Sequence, residues 1–502
     1  MPFDLLARAS MLTPNAPAVI TETESVVFGD LVDRALRMAA LFTSLDSSKQ
    51  SRVAIGASNS LDHLVALLGV LASGKIWVPI NPRNGIAEIE RGLTTTEPSI
   101  VVLDEATAAR VPGMPAHRLL LTSAPGGASA QAAKLAPLAW PLHRADPSEI
   151  QAIKFTGGTS GPPKGVMQSR RSWSAMIASS IAGFGFDARD RLLVGTPITH
   201  GASTLLLPVL GCGGALVMTE AVKAPALADA IRRFGVTTAF MPPTQLTAFA
   251  SHVAAEGLRP QTLRRLLYGA APMRPERIRE AQEILGPVLG CTYGQTEAPA
   301  VITLMTPDEL SRAENVASVG RPALLTCVAI KGPTGQPAAA GELGEILVRG
   351  DLVMQGYWQQ PKLTETTIID GWLQTGDIGY LDERGYLFLK DRSKDVIITG
   401  GFNVYPSDVE AVLSLDPAVL HCAVFGMQDE KWGEAVHAAV ELRPGTSFDP
   451  EAALRRVKNA LGPVQTPKHL HVLNQLPRNS IGKILKKEIA SLLGTHTEAP
   501  AT

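Results

Sequence analysis

Short apolar runs alternating with helical patterns constrain the first half of the chain most strongly. Val53–Gly56 and Ile76–Ile80 are apolar throughout, too short for helices and too continuous for strands with one wet face. Between them Leu61–Ala72 carries a helical pattern that breaks at Gly74. Before them Leu31, Val32, Ala35, Leu36 and Ala39 recur at helical spacing behind Asp30, a candidate cap. Strand, helix, strand in that order predicts α/β layers around a substantially parallel sheet.

The second half differs. Past about residue 340, Gly344–Gly350 and Gly385–Lys390 read as strands joined by turns. Beyond Asp391 a smaller unit follows. Its clearest helix starts at Asp449-Pro450, a cap followed by proline at the first helical position, and runs through Leu454, Val457 and Leu461. Gly201–Met218 is uncharged and long enough to suggest a membrane span. Pro208, Gly211, Gly213 and Gly214 interrupt it, so buried core elements are expected and an integral span is not. The start, with Asp4 and Arg8, lacks the basic end and apolar run of a signal peptide.

Lys and Arg number 46 against 47 Asp and Glu, a net charge of −1. That balance excludes a chain-wide basic footprint, so no nucleic-acid partner is expected. Cys212, Cys291, Cys327 and Cys422 are far apart and form no CxxC pair. Neither a disulfide framework nor a zinc site follows, and a reducing, cytoplasmic location is expected.

The strongest local signal is Phe155-Thr-Gly-Gly-Thr-Ser-Gly-Pro-Pro-Lys-Gly165. Glycines let backbone N–H groups converge on an anion, hydroxyls add donors, and Lys164 adds a charge, which is how phosphate is held. The Walker A pattern fails, because Pro163 stands where its second glycine belongs and Gly165 follows the lysine. A hydrolase elbow fails too, with Pro162 in its last place. Four further segments matter jointly: Tyr268-Gly-Ala-Ala-Pro272, Tyr293-Gly-Gln-Thr-Glu297, Gly371-Trp-Leu-Gln-Thr-Gly-Asp377 and Pro477-Arg-Asn-Ser-Ile-Gly-Lys483. Each alone reads equally well as a turn, a cap or a solvated face.

Together and in this order, with Lys390-Asp-Arg-Ser-Lys-Asp-Val-Ile-Ile-Thr-Gly-Gly-Phe-Asn-Val-Tyr-Pro406, they resemble the adenylate-forming superfamily of acyl- and aryl-CoA ligases, adenylation domains and luciferases. The resemblance implies a large N-terminal domain of layered α/β subdomains with a β-rich subdomain (residues 1–391). A hinge at 392–395 with Lys394 at its centre, a small mobile α+β domain at 396–495 and a frayed tail at 496–502 would follow. It implies adenylation of a carboxylate with ATP and Mg²⁺, then transfer of the acyl group to a thiol.

On that resemblance Thr156, Gly158, Thr159, Ser160, Gly161 and Lys164 would cradle the phosphates. Gly269, Ala270, Ala271, Tyr293 and Gly294 would frame adenine. Thr296 would touch phosphate, Glu297 would hold Mg²⁺, and Asp377 and Arg392 would bind the ribose. Lys483 would be the catalytic cation where the two anions meet, and Gly400 and Gly401 would line the thiol tunnel. The chain departs from the family pattern at Gly157, often Ser, at Phe402, often Glu, and at Asp408, often Glu.

The segment between Thr196 and Glu220 would line the acyl pocket through His200, Gly201, Ser203 and Thr204. It holds no Asp, Glu, Lys or Arg. An apolar monocarboxylic acid (fatty, alicyclic or aromatic) is therefore expected. His200 would act as a gate, the alternative being a histidine that caps the next segment. CoA is the expected acceptor. A separate carrier protein, or a non-catalytic nucleotide-binding protein on the same fold, are the alternatives, and a homodimer stays open.

Overall fold

Ser60 accepts a hydrogen bond from the His63 backbone N–H and starts the helix Leu61–Ser73, which Gly74 closes at φ 73°. This helix joins the parallel strands Arg52–Gly56 and Ile76–Ile80, so the βαβ unit forms where the apolar pattern places it. The computed structural model describes residues 2–111, 117–140, 146–156, 164–201, 203–219, 223–332, 334–478 and 484–494. Asp30 does not cap its helix. The helix starts two residues earlier, at Phe28, with Val27 at the cap, and Asp30 sits in the first turn, where its charge still complements the helix dipole.

The chain divides into two compact units. The larger comprises Met1–Val328, Leu347–Gln374 and Gly385–Leu387, and the smaller Ala329–Ile346, Thr375–Arg384 and Phe388–Thr502. The larger holds two sheets. One has seven strands in the order Gly356–Tyr357, Lys164–Ser169, Ile150–Thr156, Ile76–Ile80, Arg52–Gly56, Ile100–Leu103 and His117–Leu120. Its pairs are parallel except for the first two, which are antiparallel.

The other sheet has nine strands. Six parallel ones run Leu289–Tyr293, Arg265–Tyr268, Thr238–Met241, Arg191–Val194, Ala215–Met218 and Pro17–Ile20, flanked by antiparallel edges. The Asn59 side chain ties the two sheets together, donating to Thr196 O at 2.8 Å and accepting from Ile198 N at 2.9 Å. The uncharged run resolves into the buried helix Ser203–Gly211 and the buried strand Ala215–Met218. No described helix is long and apolar enough to cross a membrane.

The smaller unit is built on the antiparallel pair Val419–Asp429 and Gly433–Leu442, joined by Ile397–Thr399, Phe402–Val404 and the parallel edge strand His469–Leu473. Alternate residues face opposite ways. Val424, Ala438 and Val440 pack on the helices Pro406–Leu413 and Pro450–Leu461, while Ala423, Phe425 and Ala439 pack on Ile489 of the helix Lys486–Gly494. Asp449 caps its helix as its sequence predicts, accepting from Ala452 N at 3.0 Å.

Candidate active site

Thr156 and Lys164 are Cα partners at the end of one antiparallel ladder, at the two ends of the glycine-rich segment. Gly158, Thr159, Ser160 and Gly161 lie outside the described residues. Tyr357 pairs with Val166 on the next strand, and the Lys164 ammonium stands 5.2 Å from the centre of its ring. The Tyr357 hydroxyl donates to Glu297 Oε1 at 2.9 Å. Burial, then the Glu297 charge, push the phenol above its ordinary pKa, so it remains a donor.

Thr296 and Glu297 are held from the same side. Gln168 Nε2 donates to Thr296 O at 2.8 Å, and Met354 N donates to Glu297 O at 2.8 Å. Lys164, Tyr357, Thr296 and Glu297 therefore form one connected group at the ends of strands from both sheets. Thr156, the partner of Lys164, ends the strand Ile150–Thr156, and Thr296 and Glu297 follow the end of Leu289–Tyr293; the carboxyl ends of such strands are where open α/β sheets bind ligands.

Gly269, Ala270 and Ala271 follow the strand Arg265–Tyr268, and Tyr293 ends its parallel neighbour. A Cβ at Gly269 would come within 2.6 Å of Thr292 O, so only glycine lets the two strand ends run this close. Ala270 sits at φ 68°, a conformation costly for a residue with a side chain. Such strain concentrates where backbone must meet a ligand, and this segment was expected to frame adenine. Gly294 packs against the backbone of Ala300.

In the smaller unit Asp377 and Arg392 pair directly, Nε to Oδ1, at 3.2 Å. The structure thus brings the two expected ribose ligands together. Lys394 lies in the 3₁₀ turn Ser393–Asp395. Gly400 and Gly401 form the two-residue loop between the paired residues Thr399 and Phe402, at φ 56° and 82°. Two positive φ values are what a tight hairpin of this length needs. That requirement accounts for both glycines without any tunnel. Lys483 lies outside the described residues. On one side of it Arg478 is paired to Glu441 at 2.8 Å, and on the other Lys486 is paired to Glu410 at 2.8 Å.

The turn before the helix Ser203–Gly211 is closed by its own side chains. Ser203 Oγ donates to His200 O at 2.7 Å, and Thr204 Oγ1 to Gly201 O at 2.5 Å. His200 Nδ1 meets Thr199 Oγ1 at 2.9 Å. Burial, then the nearby Lys154 charge, hold His200 down at about 4, so its ring is neutral at pH 7. The segment itself is uncharged, but a cation from another strand meets it. Lys154, from the strand leading into the glycine-rich segment, donates to Ser203 Oγ at 2.9 Å.

Residues 6–358 match the AMP-binding enzyme family, and residues 408–483 match the AMP-binding enzyme C-terminal domain. The chain belongs to the AMP-binding enzyme family. It is 32% identical to a medium/long-chain-fatty-acid–CoA ligase of Mycobacterium tuberculosis, over 97% of this chain and 89% of the relative. It is also 32% identical to a feruloyl-CoA synthase of an Amycolatopsis species, over 97% and 98%. The solved structure of an amide bond synthetase from Marinactinospora thermotolerans is similar at TM-score 0.88 and 30% identity, over 98% of this chain and all of that one.

Two residues of this AMP-binding enzyme escaped the sequence reading. Tyr357 follows Gly356 with nothing nearby to mark it. Lys154 had one available signal, a lone lysine inside the apolar run Ala152–Phe155. Burial lowers the Lys154 pKa to about 7, whereas a lysine in the unfolded chain titrates near 10.4. Between those values the unfolded state binds more protons, so this group makes stability rise with pH. The variant Lys154→Met is therefore expected to melt above the wild type at pH 6, with the gap narrowing by about 3 °C or more at pH 9. Thermal unfolding of both proteins at the two pH values checks this, and a gap that stays constant contradicts it.

Proposed function

We propose that the protein is an ATP-dependent carboxylic acid–CoA ligase. It forms an acyl-adenylate and pyrophosphate, then a thioester and AMP. The observation that carries this reading is the connected group Lys164–Tyr357–Glu297–Thr296 at the strand ends. The names of the fatty-acid and feruloyl relatives support the thioester product.

In this mechanism Thr156 and Lys164 hold the outer phosphates of ATP, and the 269–271 segment and Tyr293 receive the base. Asp377 accepts hydrogen bonds from the ribose hydroxyls, with Arg392 paired to its Oδ1. Lys483 neutralises the charge that builds up as the acid's carboxylate meets the α-phosphate. Neutral His200 stands beside the acid.

Glu297 suits a bound Mg²⁺. Tyr357 fixes one carboxylate oxygen, and among the described residues no group of three His, Cys, Asp or Glu is arranged to hold a metal. One carboxylate with phosphate oxygens and water is a mix that magnesium favours. When bound, Mg²⁺ supplies charge neutralisation of the pyrophosphate leaving group.

The deciding experiment measures acid-dependent exchange of labelled pyrophosphate into ATP across fatty, alicyclic and arylpropenoic acids. AMP release is then followed with and without CoA. Exchange with none of the acids leaves only a nucleotide-binding protein, and ADP in place of AMP overturns the adenylation reading. Likeness to an amide bond synthetase favours one further acceptor class. Product formation with an amine and none with CoA would replace the thiol reading.

Thioester formation requires Lys483 to give way to the thiol, which we assign to backbone rotation at Lys394. Lys394→Pro restricts that backbone. It is expected to slow thioester formation from supplied acyl-adenylate about tenfold more than it slows pyrophosphate exchange. Equal damage to both would remove Lys394 from the role.

A further inference from the structure

Lys154 is a cation that the adenylation chemistry leaves unused. It stands two residues before Thr156 on the strand Ile150–Thr156, and alternate residues of a strand share a face. It therefore sits one step deeper than the threonine at the edge of the phosphate segment. Its neighbours are buried. Lys154 is 8% exposed, Ser203 and Trp173 are 2% exposed, and Trp77 is not exposed at all. Among the described residues no carboxylate pairs with it.

The ammonium has three N–H bonds. One goes to Ser203 Oγ at 2.9 Å, and the rings of Trp77 and Trp173 lie 4.9 Å and 5.5 Å away. Indole faces attract the charge but accept no conventional hydrogen bond. The two indoles differ in a useful way. Trp173 Nε1 donates to Gln168 Oε1 at 2.9 Å, whereas Trp77 Nε1 is buried with no acceptor among the described residues. Among the described residues the ammonium thus has one oxygen acceptor, Ser203 Oγ, for its three N–H groups. Buried donors left in that state destabilise a protein, and an acceptor oxygen supplied by a ligand would satisfy them. A hydrocarbon chain would not.

We propose that Lys154 determines substrate specificity, and that the acid activated here carries a second oxygen acceptor, remote from its reacting carboxylate, which binds the Lys154 ammonium. The proposal rests on the ligase reading above and on Ser203 lining the acyl pocket. It replaces the apolar acid expected from the uncharged 197–219 segment, because the cation enters from a different strand. The acceptor is either neutral, a hydroxyl or ketone, or anionic, a second carboxylate.

The test uses sets of acids equal in length, from four to ten carbons. Each set contains the hydrocarbon acid, its ω-hydroxy form and its ω-carboxy form. Pyrophosphate exchange gives kcat/KM, and calorimetric titration of the acids alone gives Kd. In the wild type an oxygenated member is expected to exceed its hydrocarbon counterpart about tenfold or more. In Lys154→Met that ratio should fall about 10- to 100-fold, the range for losing a hydrogen bond to a charged group. Lys154→Gln should keep a preference for the hydroxy acid and lose one for the dicarboxylate. Replacing a buried cation by an apolar side chain of similar shape is compatible with folding, and the melting temperature verifies it.

A wild type that shows no preference, or a ratio unchanged in Lys154→Met, overturns the proposal. Exchange with the hydrocarbon acids but no oxygen preference leaves the ligase reading standing and removes this one. A calorimetric preference that Lys154→Met abolishes, without exchange for any acid, does the reverse. Absence of both binding and exchange removes both.

Discussion

Lys483→Ala is expected to lower acyl-adenylate formation about 10²–10³-fold, while acyl-adenylate supplied from outside is still converted to thioester. The asymmetry follows from the charges. In the first half-reaction of the proposed mechanism a carboxylate approaches an α-phosphate, so two anions meet and a fixed cation lowers the barrier. In the second, a thiol attacks a neutral carbonyl and no such meeting occurs. Pyrophosphate exchange reads the first step, and thioester yield from synthetic acyl-adenylate reads the second. A parallel fall in both, in a variant that melts like the wild type, would show that the lysine supports the site generally and does not act at the reacting atoms. In sequence the substituted position lies between Arg478 and Lys486, which Glu441 and Glu410 hold at 2.8 Å each.

How far the sequence reaches depends on how far apart the interacting residues are. The helix Leu61–Ser73 and the strand Ile76–Ile80 were legible because period and cap lie within a few neighbouring residues. Asp449 succeeded as a cap for the same reason. Asp30 failed because an acidic residue suits the first helical turn as well as the cap, and only the backbone separates the two. Sheet order was not legible. Nothing local announces that Ala215–Met218 lies between Arg191–Val194 and Pro17–Ile20.

That missing order is why the site was legible only in part. The motif residues are marked by their own neighbours, as Thr156 and Lys164 are. Tyr357 and Lys154 acquire their meaning from partners 60 and 49 residues away, Glu297 and Ser203. The glycine pair at 400–401 carries the opposite lesson. Both residues invite a functional reading, yet the two-residue hairpin by itself requires them. Their presence follows from the hairpin alone and carries no argument for a thiol tunnel.

Glu297→Gln should reduce pyrophosphate exchange by at least about 10²-fold and raise the Mg²⁺ concentration needed for half-maximal rate. The amide keeps the shape of the side chain and can still accept from the Tyr357 hydroxyl, so the loop should hold. What it loses is the negative charge, and a hard divalent cation binds a neutral amide oxygen far more weakly than a carboxylate. Tyr357→Phe separates the two contributions. It leaves the charge and removes the 2.9 Å hydrogen bond that orients it. Partners that orient a metal ligand typically contribute 10–100-fold to metal affinity or activity, so the loss should be roughly 10-fold and should shrink as Mg²⁺ is raised. The loss in Glu297→Gln should shrink much less, because added metal cannot restore a missing ligand charge. If Tyr357→Phe were the more damaging change, or if neither variant responded to Mg²⁺, Glu297 would be a structural acceptor for the tyrosine and the metal would have to be held elsewhere.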